Sequence, residues 1–213
     1  MQKRFRDRER HLGRNPAKRE PKHRILVVCE GRVTEPEYFK ALQHEFRNPL
    51  VHVEIDKQGG VPLTVVNRAI ELDNQANDQS KRFQEDDLKY DDVWCVIDVD
   101  EHPHLAQALE LAQKSGVKVA VSNPCIELWA LLHFRDQTER IHRHDAQQAL
   151  KAFMPKYDKV LDFDRMRRAY TKAAERAQSL RKTAEAMGEP NRNPSTGVHL
   201  LAELIRTGGH GCT

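Results

Sequence analysis

Residues 25–31, Ile25-Leu26-Val27-Val28-Cys29-Glu30-Gly31 (ILVVCEG), set five apolar side chains in an unbroken row and end it on an acid and a glycine. A short, continuous apolar row of this kind is the pattern of a strand buried on both faces, as in a parallel sheet. A second run, Val93-Trp94-Cys95-Val96-Ile97, ends on Asp98-Val99-Asp100. Two buried strands that both finish in carboxylates raise the question of what the gathered charge is for.

The elements around these runs alternate. Thr34 and Glu37 have the spacing of a capping box, and Tyr38, Phe39, Leu42 and Phe46 recur at helical intervals. A helix is therefore predicted over 34–47, stopped by Asn48-Pro49. Val51, Val53 and Ile55 alternate as a strand, and Gly59-Gly60 precedes a helix whose apolar face uses Val65, Val66, Ala69, Ile70 and Leu72. A polar connection is expected over 74–91. After the strand at 93–97 come a helix over 105–114, Gly116 at its end, and a strand over 117–121. The β-α-β-α-β-α-β order predicts an α/β core over 25–135: a mostly parallel four-stranded sheet with right-handed crossovers and helices on both faces.

Beyond Asn123-Pro124 the pattern turns helical, over 126–134, 145–153, 162–187 and 196–206, so 136–213 is expected to be an α-helical region packing on the core. The third of these helices carries Phe163, Met166, Tyr170, Ala173, Ala177, Leu180, Ala184 and Met187 in one seam. That seam spans fewer than four heptads, which favours a partner helix within the same chain over a dimeric coiled coil, although a homodimer is compatible with it. Arg165, Arg167, Arg168, Lys172, Arg176, Arg181 and Lys182 on the same helix are either a solvated face or a contact for nucleic acid or protein.

Composition narrows the classes. The chain has 213 residues, 38% of them hydrophobic, enough for one core of ordinary size with an appendage. The net charge of +3 is unevenly spread: residues 1–24 hold ten Lys/Arg against three Asp/Glu, a net of +7, which leaves −4 for the remainder. This tail has too little apolar surface to repay its ordering and is read as a disordered leader. Its cations Arg4, Arg6, Arg8, Arg10, Arg14, Lys18 and Arg19 suit either solubility or a salt-sensitive arm for nucleic-acid phosphates. No stretch approaches the ~20 apolar residues that span a bilayer, so a cytoplasmic protein without membrane contact is expected. Cys29, Cys95, Cys125 and Cys212 have neither zinc nor disulfide spacing. His102, His104, His142 and His144 have no matching further ligands.

In a parallel α/β sheet, ligands bind beyond the carboxyl ends of the strands. Asp98 and Asp100, two apart on an extended chain, would point the same way with Cα atoms about 6–7 Å apart. Carboxylates so placed suit a hard cation such as Mg²⁺, with Mn²⁺ as an alternative, and Glu30 would reach the same ion if its strand lies alongside. Gly31 would leave room for a substrate to approach. Such a cluster suits phosphodiester chemistry. An Asp-x-Asp after a strand is also a common hydrogen-bonded turn, and like charges gathered without a cation are costly. Glu127, early in the helix after the last strand, either faces the same edge as a further metal ligand or simply complements the helix dipole. Glu101 should alternate to the other face.

Four blocks, ILVVCEGRVTEPEYFKAL, VWCVIDVDEH, SNPCIELWALLHF and NPSTGVHLLAELI, together resemble, in order, the RloB-like family over about residues 25–206. That family is a group of small proteins found beside restriction-modification and other phage-defence genes, often with an ABC-type ATPase partner, and it is similar to Toprim domains. The resemblance implies a Toprim-like, Rossmann-like fold in which Asp98 and Asp100 bind Mg²⁺ and Glu30 acts as general acid/base or as a further ligand. Toprim nucleases of the overcoming-lysogenization-defect type have another Glu shortly after the first, for which Glu35 is the nearest candidate. An acid in a first helical turn is favourable on dipole grounds alone.

The leading expectation is a Mg²⁺-dependent nuclease, a hydrolase acting in antiviral defence, with nucleic acid (DNA or RNA) and an ABC-type ATPase as partners. The alternative is a catalytically silent module that binds nucleic acid or a protein of a defence complex. Topoisomerase and primase chemistry would need further domains, and haloacid-type phosphatases place their nucleophilic aspartate where this chain has Glu30.

Overall fold

The computed structural model describes residues 22–99 and 104–209. The basic residues from Arg4 to Arg19, and Asp100, Glu101, His102 and Cys212, lie outside them. The ILVVC row is the middle of β1 (His23–Cys29), followed by α1 (Thr34–Phe46), β2 (Val51–Asp56), α2 (Pro62–Phe83), β3 (Asp92–Asp98), α3 (Leu105–Lys114) and β4 (Lys118–Asn123). Then come α4 (Ile126–Leu132), α5 (Arg143–Phe153), α6 (Phe163–Met166), α7 (Tyr170–Ala186), β5 (Ser195–Thr196) and α8 (Val198–Thr207). The sheet order is β2-β1-β3-β4-β5. Pairing is parallel from β2 through β4, and β5 joins β4 antiparallel, pairing Thr196 with Ser122.

The alternation of side chains across each strand divides the interior. Ile25, Val27, Cys29, Trp94 and Val96 face one layer, with α1, α4, α7 and α8. Leu26, Val28, Val93, Cys95 and Ile97 face the other, with α2 and α3. Helices therefore cover both faces, and α1 and α2 leave the neighbouring strands β1 and β2 toward opposite sides. The chain reverses its direction of winding between β1 and β3, so the crevice past their carboxyl ends is the topological switch point, where such sheets bind ligands.

The helical region continues the first layer. Trp129 is fully buried and meets the rings of Tyr38, His133 and Tyr170 at centroid distances of 6.5, 4.6 and 6.1 Å. Burying one such side chain contributes about 1.5–3 kcal/mol. The predicted seam is internal to the chain along most of its length: Met166, Tyr170, Ala173, Ala177 and Ala184 are buried, Phe163 and Leu180 are half-buried, and α7 packs on α4 and α8, whereas Met187, past the end of α7, is exposed. Arg176 ties α7 to the end of α4 by donating to the Leu132 carbonyl at 2.6 Å and pairing with Asp136.

Several local expectations are revised. The polar stretch from Asn74 continues α2 to Phe83, because Ala76 and Ser80 carry its inner face and pairs such as Gln75–Glu71 and Asn77–Asp73 support the outer one. The helix expected over 162–187 is interrupted by a 3-10 turn at Arg167–Ala169, where Ala169 leaves helical geometry at φ −105 and ψ 12. The fifth strand is two residues long, too short for any alternation to reveal. The capping box is not formed: Val33 is the cap, Thr34 is the first helical residue, and the Glu37 carboxylate turns to Lys40 at 2.7 Å and Lys57 at 3.8 Å.

Candidate active site

Past the carboxyl ends of β1 and β3 lies a cleft of about 420 Å³. Glu30, Glu35, Asp98 and Glu127 line it, with Arg32, Arg143 and Lys159. Four elements supply the acids: the turn after β1, the first turn of α1, the last residue of β3, and the first turn of α4. Only the parallel register makes this possible. Val28 pairs with Cys95 and Asp98 with Ser122, which brings the three central strand ends level.

Glu30 bends toward the neighbouring strand and accepts a hydrogen bond from the Asp98 backbone N–H at 3.0 Å. Its own carbonyl accepts from the Gly60 N–H at 3.2 Å, so the loop after β2 forms one wall. Gly59 is required in that wall: it sits at φ +71, and a Cβ there would stand 2.9 Å from the Glu30 carbonyl oxygen.

Gly31 plays a different part from the expected opening for substrate. A Cβ placed on it would lie 2.7 Å from Cδ of Glu35, so the space over this glycine is filled by the chain's own carboxyl group. Glu35 is buried, and burial raises its pKa first, with repulsion from Glu127 adding to it; the backbone N–H groups of Glu35 and Gly31, and the charge of Arg143, oppose the rise.

Asp98 is buried to the same degree as Glu35 and Glu127. Its side chain is 9% exposed, and Arg143 donates to Oδ2 at 2.7 Å. The other oxygen, Oδ1, is buried and has no hydrogen-bond partner among the described residues. Burial pushes the Asp98 carboxyl well above the usual range; Glu35, Glu127 and Glu30 push it further, against the pull of Arg143. Glu127 is fixed from the helical region, since Tyr157 Oη donates to its Oε1 at 2.6 Å and Gln147 Nε2 at 3.0 Å. Cys29 and Cys125 are also buried here, and burial raises both thiols, so neither offers a thiolate.

Among the described residues, no three His, Cys, Asp or Glu side chains stand close enough together to hold a metal ion as placed. Asp100 lies outside them. The donors nonetheless fit a hard divalent cation in kind: every one is a carboxylate, and Asp98 holds a buried acceptor to which no described residue donates, a situation ordinary proteins rarely leave unsatisfied. The cysteines of the described residues are free and buried, and His104 and His142 cap α3 and α5.

Arg143 was not legible as a site residue. Its one sequence signal is that it stands at the start of α5, where the helix dipole disfavours a cation. Asp98 supplies the compensating charge. Gln147, one turn along the same helix, reaches Glu127, so a single edge of α5 engages two of the four acids.

The described helices include none long and apolar enough to cross a membrane. A family model described as RloB-like protein matches residues 25–205. Comparison with curated proteins and with solved structures finds no match.

Proposed function

The chain belongs to the RloB-like family, and on that premise we propose that it is a Mg²⁺-dependent nuclease of the Toprim type, cleaving phosphodiesters as an effector of anti-phage defence beside an ABC-type ATPase. The observation that carries this reading is the convergence of Glu30, Glu35, Asp98 and Glu127 on one cleft at the switch point of a parallel sheet, with Asp98 Oδ1 buried and without a hydrogen-bond partner among the described residues. Asp98 and Asp100 would hold the ion, with Glu30 or Glu35 as a further oxygen donor and Glu127 beside them. When bound, Mg²⁺ supplies charge stabilisation at a phosphoryl oxygen and a more acidic water.

The remaining work falls to protein groups. Glu30, oriented into the cleft by the hydrogen bond from the Asp98 N–H, would serve as the carboxylate that takes a proton from an attacking water. Arg32 and Lys159 line the cleft and would neutralise the flanking phosphates of a nucleic-acid strand. Lys159 is held at φ +60, a backbone conformation unusual for a non-glycine residue and typical of functional sites. The basic residues from Arg4 to Arg19 would extend this contact along the strand as a salt-sensitive arm.

A second reading has its own support. With Asp98 held by Arg143, the cleft is compatible with a silent module that binds nucleic acid or a partner. Phage challenge of cells expressing the protein with its ATPase partner separates the two. Restriction that is lost in Asp98→Ala and Glu30→Ala, both still expressed and folded, supports the nuclease. Equal restriction by all three proteins supports the binding module.

A further inference from the structure

The edge of α5 that closes the cleft suggests how the acids are held before any metal arrives. Arg143 donates to Asp98 Oδ2 at 2.7 Å, and its side chain is 38% exposed against 9% for Asp98, with Nε of the guanidinium buried in the wall of the cleft. It is a cation at a helix start, a position the dipole penalises. It also lines the same cleft as Glu30, Glu35 and Glu127 and lowers the proton affinity of Glu35 as well as of Asp98.

We propose that Arg143 is a built-in counter-ion that occupies Asp98 in place of a divalent cation and competes with that cation for the carboxylate. The inference rests on the reading of the cleft as a metal site. A guanidinium on Oδ2 and a divalent cation at Oδ1 of the same enclosed carboxylate would repel each other, so Arg143 would oppose the ion and the ion would loosen the Arg143 contact. The loosened guanidinium lines the same cleft that a substrate phosphate would enter, and a planar fork is well suited to receive it. Arg143 is thus a positioning residue. It offsets the repulsion among Glu30 and the three buried acids Glu35, Asp98 and Glu127 in the metal-free protein and makes loading of the site conditional on an incoming ion, with a substrate phosphate as a second anion for its guanidinium.

The test is the Kd for Mn²⁺, read by electron paramagnetic resonance and by titration calorimetry on the full chain. The variants are Arg143→Met, which keeps the stem and removes the charge, and Arg143→Lys, which keeps a charge without the fork. The expected result is a Kd lower by about tenfold or more in Arg143→Met, equivalent to about 1.4 kcal/mol. Arg143→Lys should lie between it and wild type, and Asp98→Asn in the Arg143→Met background should abolish the gain. Metal-free Arg143→Met should also melt at lower temperature than wild type and regain more on adding Mn²⁺.

An unchanged or higher Kd in both variants overturns the inference, as does an absence of Mn²⁺ binding in all of them. Should Arg143→Met fail to fold, the Kd of Arg143→Lys relative to wild type decides the question. Wild type that binds Mn²⁺ and cleaves nucleic acid, with variants of unchanged Kd, rejects the role of Arg143 and leaves the nuclease in place. Tighter binding by Arg143→Met without cleavage by any form does the reverse.

Discussion

The carboxyl group of Glu35 lies over the α-carbon of Gly31, in the space where any other residue would carry its Cβ. Glycine at this position therefore serves a neighbouring acid in the same chain. Gly31→Ala should push that carboxyl group off its seat. The expected cost is at the low end of overpacking, about 1 kcal/mol, because only the far end of a flexible side chain has to move, seen as a lower melting temperature in calorimetry. In the Gly31→Ala/Glu35→Ala double variant the two costs should not add, because the clash needs both side chains.

Glu35 also sets a pH dependence. Its pKa is raised in the folded protein, chiefly by burial and then by Glu127. A raised carboxyl favours folding while it is protonated, so its contribution is intact at acid pH and is lost as pH climbs from the ordinary glutamate range through the folded value. Asp98 acts in the same sense. Urea unfolding in EDTA between about pH 4 and about pH 8 should show stability falling across that window, less steeply in Glu35→Gln, and Mg²⁺ should restore it at the upper end. A flat profile in wild type would count against the strained cluster.

The clamp on Glu127 gives a third expectation. Tyr157 donates to Glu127 at 2.6 Å from a buried position. Tyr157→Phe removes one of the two donors on Oε1 and leaves Gln147 as the other, which costs about 0.5–1.5 kcal/mol. Replacing Glu127 with Gln in that background should recover part of the loss, since an amide demands less than a carboxylate.

Packing of the helical region is tested by Ala177, which is fully buried on α7. Ala177→Leu should destabilise by about 1–3 kcal/mol. A seam that instead served a dimer would show the change as a concentration-dependent shift in sedimentation.

How far the sequence could be read depended on which force shaped each element. β1 and β3 were legible because strands buried on both faces must be apolar throughout, and α1 because its inner face recurs every three or four residues. The second half of α2 was not, since only Ala76 and Ser80 face inward there and neither marks a core position. The Thr34/Glu37 spacing misled because Lys40 and Lys57 compete for the Glu37 carboxylate.

At the cleft, Glu30 and Asp98 stood out as acids at strand ends, and the parallel register does bring them together. Glu35 and Glu127 were each explicable by helix dipoles alone, and only the fold sets them in the same cleft. Arg143 had no periodicity or motif to mark it; its meaning comes from Asp98, forty-five positions earlier.

The central claim, that this acidic cleft cuts nucleic acid with a divalent ion, is tested most directly by incubating the purified chain, with and without its ATPase partner, with plasmid DNA and total tRNA in Mg²⁺, Mn²⁺ or EDTA. The account predicts cleavage that requires a divalent ion and falls by about 10²-fold or more in Asp98→Asn and Glu30→Gln, as expected when a group acting directly in catalysis is removed. Cleavage that persists in EDTA, or is equal in all three proteins, would contradict it.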